Sequence, residues 1–209
     1  MPIQNPDEMG LPIEEAVLRL NKSREYRLLF QKIFGQKPTA QNLAAAFSAF
    51  EQTLETVDSK FDDWSNDLKK LTAREERGRQ LFLGDKAKCF DCHRMEDFTT
   101  DEFKNIGLYN GKELPDAGLF NLTKKEADLG KFKTPGLRNV AVTAPYMHNG
   151  MFKTLEEVLD YYNDPRKFVI DPLNIDETLK DPLGLTDREK QDIIIFLRTL
   201  TDKKYLKSR

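Results

Sequence analysis

Both cysteines of this 209-residue chain stand in one stretch, AKCFDCHRM, with a histidine directly after the second. Cys89, Phe90, Asp91, Cys92 and His93 spell C-x-x-C-H, the pattern by which a c-type haem is attached. The spacing has a mechanical reason. Cysteines three apart lie about one helical turn from each other, so both sulfurs can reach the two vinyl groups of one porphyrin. The next residue then presents its imidazole to the iron from the same side. A chain built this way folds around a large flat group. Rival uses of the motif fit poorly. A structural zinc site needs four ligands, and the chain could offer only Cys89, Cys92, His93 and the distant His148. A redox C-x-x-C opens a helix within a βαβ unit, and no run here alternates as a strand would. The second face of the iron has several candidates by residue type: His148, Met95, Met147, Met151 or a tyrosine.

The rest of the chain reads as helices. Ile13 to Phe34 carries apolar residues at broken helical spacing, which predicts two helices meeting near Asn21–Ser23 and stopped by Gly35 and Pro38. A helix opening at Thr39 sets Leu43, Phe47, Phe50 and Leu54 on one face. The charged stretch DSKFDDWSNDLKK reads as a linker. Threonine followed three residues later by glutamate, at Thr72/Glu75, Thr154/Glu157 and Thr186/Glu189, predicts three capped helix starts. The last of these helices presents Ile193, Phe196, Leu197 and Leu200. Between Thr99 and Asn139 the signals are all turns, and so long an irregular stretch is uncommon unless something orders it; a large buried cofactor could. AFEQTL (Ala49–Leu54) echoes IFLRTL (Ile195–Leu200), each closing an amphipathic helix, which suggests two lobes of one kind.

Charged residues make up 33% of the chain and the net charge is −2, which argues against nucleic acid as the main partner. No apolar run approaches the roughly 18 residues of a membrane span. The start, MPIQNPDEMG, lacks the basic and apolar regions of a signal peptide.

The stretch FKTPGLRNVAVTAPYMHNGMFKTLEEVLDYYN (Phe132–Asn163) closely resembles the second lobe of the bacterial di-haem cytochrome c peroxidases and their MauG-like relatives. NPDEMG (Asn5–Gly10) and TAQNLAAAFSAFEQTL (Thr39–Leu54) resemble segments of that family's first lobe, in the same order. The resemblance implies an all-α fold of two cytochrome c-like lobes, each with a covalent haem, one peroxidatic and one receiving electrons. Residues 1–70 would be the helical remnant of the N-terminal lobe plus linker. Residues 71–209 would be the C-terminal cytochrome c-like haem domain, with one haem and no first-lobe motif.

On that pattern Cys89 and Cys92 bind the haem, His93 is the proximal ligand, and Tyr162, beside Tyr161, matches the distal position. That position holds methionine in many of the peroxidases and tyrosine in the MauG-like proteins. Thr143 and Pro145 match backbone carbonyls that hold a calcium ion with an asparagine of the first lobe, and oxygen-only ligation suits that hard cation. Glu8 matches the acid–base glutamate over the peroxidatic haem, and His148 a residue supporting the haem. The implied activity is reduction of hydrogen peroxide with electrons from a small cytochrome c or cupredoxin, in the periplasm, with a homodimer compatible with the pattern. The alternatives are a MauG-like oxidation of a protein side chain and a stand-alone mono-haem electron-transfer protein.

Overall fold

The computed structural model describes residues 3–94 and 96–206, so Met95, one candidate for the second iron face, lies outside the described residues. The chain is mostly helical and divides into two compact units, Met1–Glu55 and Thr56–Arg209.

The first unit holds α1 (Ile13–Lys22), α2 (Arg24–Phe34) and α3 (Ala40–Glu51). The break expected near Ser23 is present. Ser23 is extended, and its hydroxyl accepts the Tyr26 amide to start α2. Gly35 ends α2 at φ +69°, a left-handed cap that suits glycine. Thr39 and Asn42 close a reciprocal capping box on α3. The expected apolar face of α3 is buried only at Leu43; Phe47, Phe50 and Leu54 are exposed, and Leu54 lies in a short 3-10 turn after the helix.

The second unit begins with the stretch read as a linker, and here the structure corrects the reading. Residues 60–65 form α4 (Lys60–Ser65), started by a Ser59–Asp62 capping box. The unit therefore begins at Thr56 rather than after residue 70. The physical reason is Phe61. Its ring meets Phe98 edge-on at 5.0 Å and Phe196 at 6.0 Å, and its amide donates to the Thr199 carbonyl. A charged sequence with one well-placed aromatic packs where composition alone suggests a spacer.

Helix α5 (Ala73–Leu83) follows from the Thr72–Glu75 box. The stretch expected to be turns alone contains a two-residue antiparallel ladder, β1 (Phe103–Lys104) with β2 (Phe132–Lys133), and the short α6 (Phe120–Thr123) between them. These strands are too short to leave an alternating pattern. Helices α7 (Leu155–Asn163), α8 (Asp187–Arg198) and α9 (Lys203–Leu206) complete the unit, the first two opened by their predicted boxes.

Helices α5 and α8 cross at Gly78. A Cβ there would stand 1.9 Å from the Asp192 carbonyl oxygen, so the crossing requires glycine. Around it Phe82, Phe98, Ile193, Phe196 and Leu200 form the main core. A second, smaller cluster gathers Leu108, Phe152, Tyr161 and Val169. Asn105, fully buried, ties the irregular stretch together. Its side chain donates to the Leu129 and Leu173 carbonyls and accepts the Gly107 amide.

Candidate functional site

The cysteines sit on a single tight turn, Cys89–Asp91, entered through Lys88 at φ +54°. The Cys92 and His93 amides both donate to the Cys89 carbonyl, at 3.3 and 2.9 Å. This closes one helical turn and sets both sulfurs and the imidazole on one short piece of backbone. The thiols are free. Burial pushes the Cys89 thiol up to about 12. Burial also raises Cys92, with the Lys104 ammonium pulling the other way and Asp176 adding to the rise. Both are therefore neutral thiols at physiological pH.

His93 is oriented by backbone. Its Nδ1 lies 2.9 Å from the Phe98 carbonyl oxygen, which can only accept, so Nδ1 carries the proton and Nε2 presents its lone pair. The Pro135 carbonyl also faces this ring, while burial holds the imidazole below its usual pKa. A neutral ring anchored through Nδ1 is what an iron ligand requires.

Tyr161 and Tyr162, adjacent on α7, differ sharply. The Tyr161 ring is fully buried and its hydroxyl donates to the Ile106 carbonyl at 2.6 Å. Tyr162 meets Tyr161 edge-on at 5.7 Å, and among the described residues its hydroxyl pairs with no other group. Its phenol is pushed well above the usual range by burial first, then by the charges that Cys92 and Cys89 would carry. That coupling puts the Tyr162 phenol within electrostatic range of both thiols. Met147 packs against the same small cluster, and Met151 is exposed.

The remaining expected residues lie elsewhere. His148 stacks flat on Phe132, ring centroids 3.7 Å apart. Thr143 and Pro145 sit exposed on the turn after a short 3-10 segment, Val140–Val142. Glu8 belongs to the first unit, exposed, its carboxylate accepting from Asn5 at 3.2 Å. Among the described residues no three His, Cys, Asp or Glu side chains converge as a metal cage. The donor set at the motif, two thiols with one imidazole beneath and one phenol nearby, therefore fits a covalent haem rather than a bare ion. Sequence reasoning missed the Phe98 carbonyl, because nothing in the residue type signals a backbone acceptor.

Comparison with known proteins places these observations in context. The profile of the di-haem cytochrome c peroxidase family matches residues 1–70. The methylamine utilization protein MauG of Methylorubrum extorquens is 36% identical over 206 residues, covering 96% of this chain and 56% of that protein. The cytochrome c551 peroxidase of Nitrosomonas europaea is 34% identical, with 96% and 56% covered. The chain thus spans about half the length of these curated relatives. A crystal structure of a MauG-like protein associated with microbial copper homeostasis superposes with a TM-score of 0.85 at 34% identity, covering 99% of this chain and 68% of that one.

Proposed function

The chain belongs to the family of di-haem cytochrome c peroxidases and MauG proteins, and from that premise we propose that its second unit is a cytochrome c-like domain holding one covalent haem for electron transfer. Cys89 and Cys92 form the thioethers. His93 would hold the iron through Nε2, and Tyr162 would offer it a second, oxygen donor. The observation that carries this reading is the turn itself: two free thiols and an imidazole anchored through Nδ1 stand on one helical turn, and the Tyr162 phenol, its hydroxyl without a described partner, lies within electrostatic range of both thiols.

The haem, when bound, supplies a one-electron change of iron valence. The chain's residues do the rest. With both His93 and Tyr162 committed to the iron, this chain would offer peroxide no open site. An anionic oxygen donor favours ferric iron and lowers the potential, where methionine raises it. Burial holds the Tyr162 proton in place, and a bound iron would supply the compensating positive charge its loss requires. On one side Cys89 packs against the main core that contains Phe98 and Phe82.

The parent activity in this reading is reduction of hydrogen peroxide to water with electrons from a small cytochrome c or cupredoxin, in the periplasm, where c-type haem is attached. Glu8 would serve as acid–base residue over a second haem, and the Thr143 and Pro145 carbonyls would contribute to a calcium site. A tyrosine rather than a methionine at position 162 favours a second reading, MauG-like oxidation of a protein side chain. In either case this chain, with one attachment motif, exchanges single electrons and consumes peroxide slowly.

Export with the haem-attachment machinery followed by denaturing mass spectrometry should find one haem on Cys89 and Cys92. A mass without haem would overturn the reading. Rapid donor-dependent peroxide reduction by this chain alone would instead require an open iron position.

A further inference from the structure

Phe98 holds a backbone conformation that its own side chain disfavours. Its φ is +57°, in the left-handed region where a bulky aromatic residue is an outlier. Such a conformation persists only where its surroundings over-determine it. Here they do. The ring is buried and meets Phe61 at 5.0 Å, Phe82 at 5.9 Å and Phe196 at 6.3 Å between centroids, in edge-on contacts. The backbone on both sides is strapped to residues 134–138. The Leu137 amide donates to the Asp97 carbonyl at 3.2 Å, Arg138 Nε to the Asp97 carboxylate at 2.9 Å, and Thr99 Oγ1 to the Thr134 carbonyl at 2.7 Å. The outcome of all these restraints is one carbonyl aimed at the His93 ring, 2.9 Å from Nδ1.

We propose that Phe98 is a positioning residue for His93: the aromatic wedge holds a strained peptide whose carbonyl fixes the imidazole's tautomer and sets the donor strength of Nε2. A firmer hydrogen bond at Nδ1–H makes the ring more electron-rich and the metal it binds harder to reduce. The Pro135 carbonyl also faces this ring, and the 2.9 Å contact at Nδ1 is the one the Phe98 carbonyl makes. The proposal rests on His93 being the iron ligand. It extends that reading by assigning control of the ligand to a side chain of the main core rather than to the ligand itself.

The test compares the haem-loaded protein with Phe98→Ala, with Phe98→Leu as the partial refill, and with Phe196→Leu as a control in the same aromatic cluster. Phe98→Ala should raise the midpoint potential, moving the equilibrium with a fixed donor about three-fold or more toward reduced iron. The iron–histidine stretching frequency should fall. Phe98→Leu should restore most of both. Phe196→Leu should lower thermal stability while leaving potential and frequency in place. Should Phe98→Ala fail to fold, Thr99→Val cuts one strap without touching the core and should shift the potential the same way. In the apoprotein, 15N shifts of His93 should report a fixed Nδ1–H tautomer in the unmodified chain and a mixture in Phe98→Ala. Loss of stability with unchanged potential, frequency and tautomer would make Phe98 core filling alone, as would an equal shift from Phe196→Leu. Absence of haem in the unmodified protein would remove the haem reading instead, and the apoprotein tautomer would still decide the role of Phe98.

Discussion

Tyr161 and Tyr162 are neighbours in sequence whose hydroxyls have opposite fates. Tyr161 donates to the Ile106 carbonyl deep in the second cluster. Tyr161→Phe therefore removes the partner of a half-buried carbonyl and should cost about 1 kcal/mol in chemical denaturation, with the ferric spectrum unchanged. Tyr162 has no such bond to lose. Tyr162→Phe should leave stability nearly intact, alter the ferric spectrum of the haem-loaded protein and raise its potential. An unchanged spectrum would return the distal position to Met147 or water. Nothing in residue type separates these two tyrosines. The sequence points to Tyr162 only through resemblance to a family pattern; the difference in their hydrogen bonding is tertiary. The C-x-x-C-H, by contrast, is readable without any fold, because its geometry is confined to one turn. The Phe98 carbonyl is at the other extreme, since backbone acceptors and positive φ at an aromatic residue leave no mark in the sequence.

Helices α5 and α8 meet through one glycine and one carboxylate, and both can be tested. Gly78→Ala drives a methyl into the Asp192 carbonyl and against the Phe196 Cβ. Because the obstruction is backbone, the helices must part, and a loss of about 3 kcal/mol in unfolding free energy is expected. Asp192, 2% exposed, accepts from Arg74 at 2.7 Å and Arg77 at 3.0 Å. Burial alone would raise its pKa, and the two guanidiniums outweigh it to hold the carboxyl below the usual range. A carboxylate lowered in the folded state binds its proton more readily when unfolded. Its contribution is therefore complete above the unfolded pKa of about 3.9 and is lost as pH falls through the lower folded value. Asp192→Asn should cost about 2 kcal/mol at pH 7, and the gap between mutant and parent melting temperatures should narrow in that acid window. The starts of α5, α7 and α8 were legible because a capping box is local: its threonine and glutamate satisfy amides within one turn. Helix α4 was not, because what orders it is Phe61 meeting Phe98 and Phe196, contacts far along the chain. The apolar face of α3 was legible as a pattern, yet Phe47 and Phe50 stay exposed, since periodicity marks a face without saying that anything covers it.

Within the second unit, order has two different sources. The α5–α8 core closes on itself through aromatic and aliphatic side chains. Residues 99–139, in contrast, hold together through Asn105, Asn110, a two-residue ladder and short turns, with the small cluster of Leu108, Phe152, Tyr161 and Val169 behind them. Few buried apolar contacts and many turn hydrogen bonds are the marks of a segment that opens locally at low cost. A ligand that binds only the closed form raises the cost of opening wherever its site is made. Covalent haem at Cys89 and Cys92, lying against His93 and Tyr162, would be walled by this stretch. Haem attachment is therefore expected to slow amide hydrogen exchange most across residues 99–139 and least across α5 and α8, where protection is already set by the core. The chain's one tryptophan, Trp64, stands 5.4 Å from Phe61 in the same unit, and its fluorescence should be quenched on loading, giving an independent measure of how much protein carries haem. Comparing exchange in apoprotein and fully loaded protein decides the matter. Uniform protection along the second unit, or none in residues 99–139, would mean that the irregular stretch orders itself and that its length has another cause.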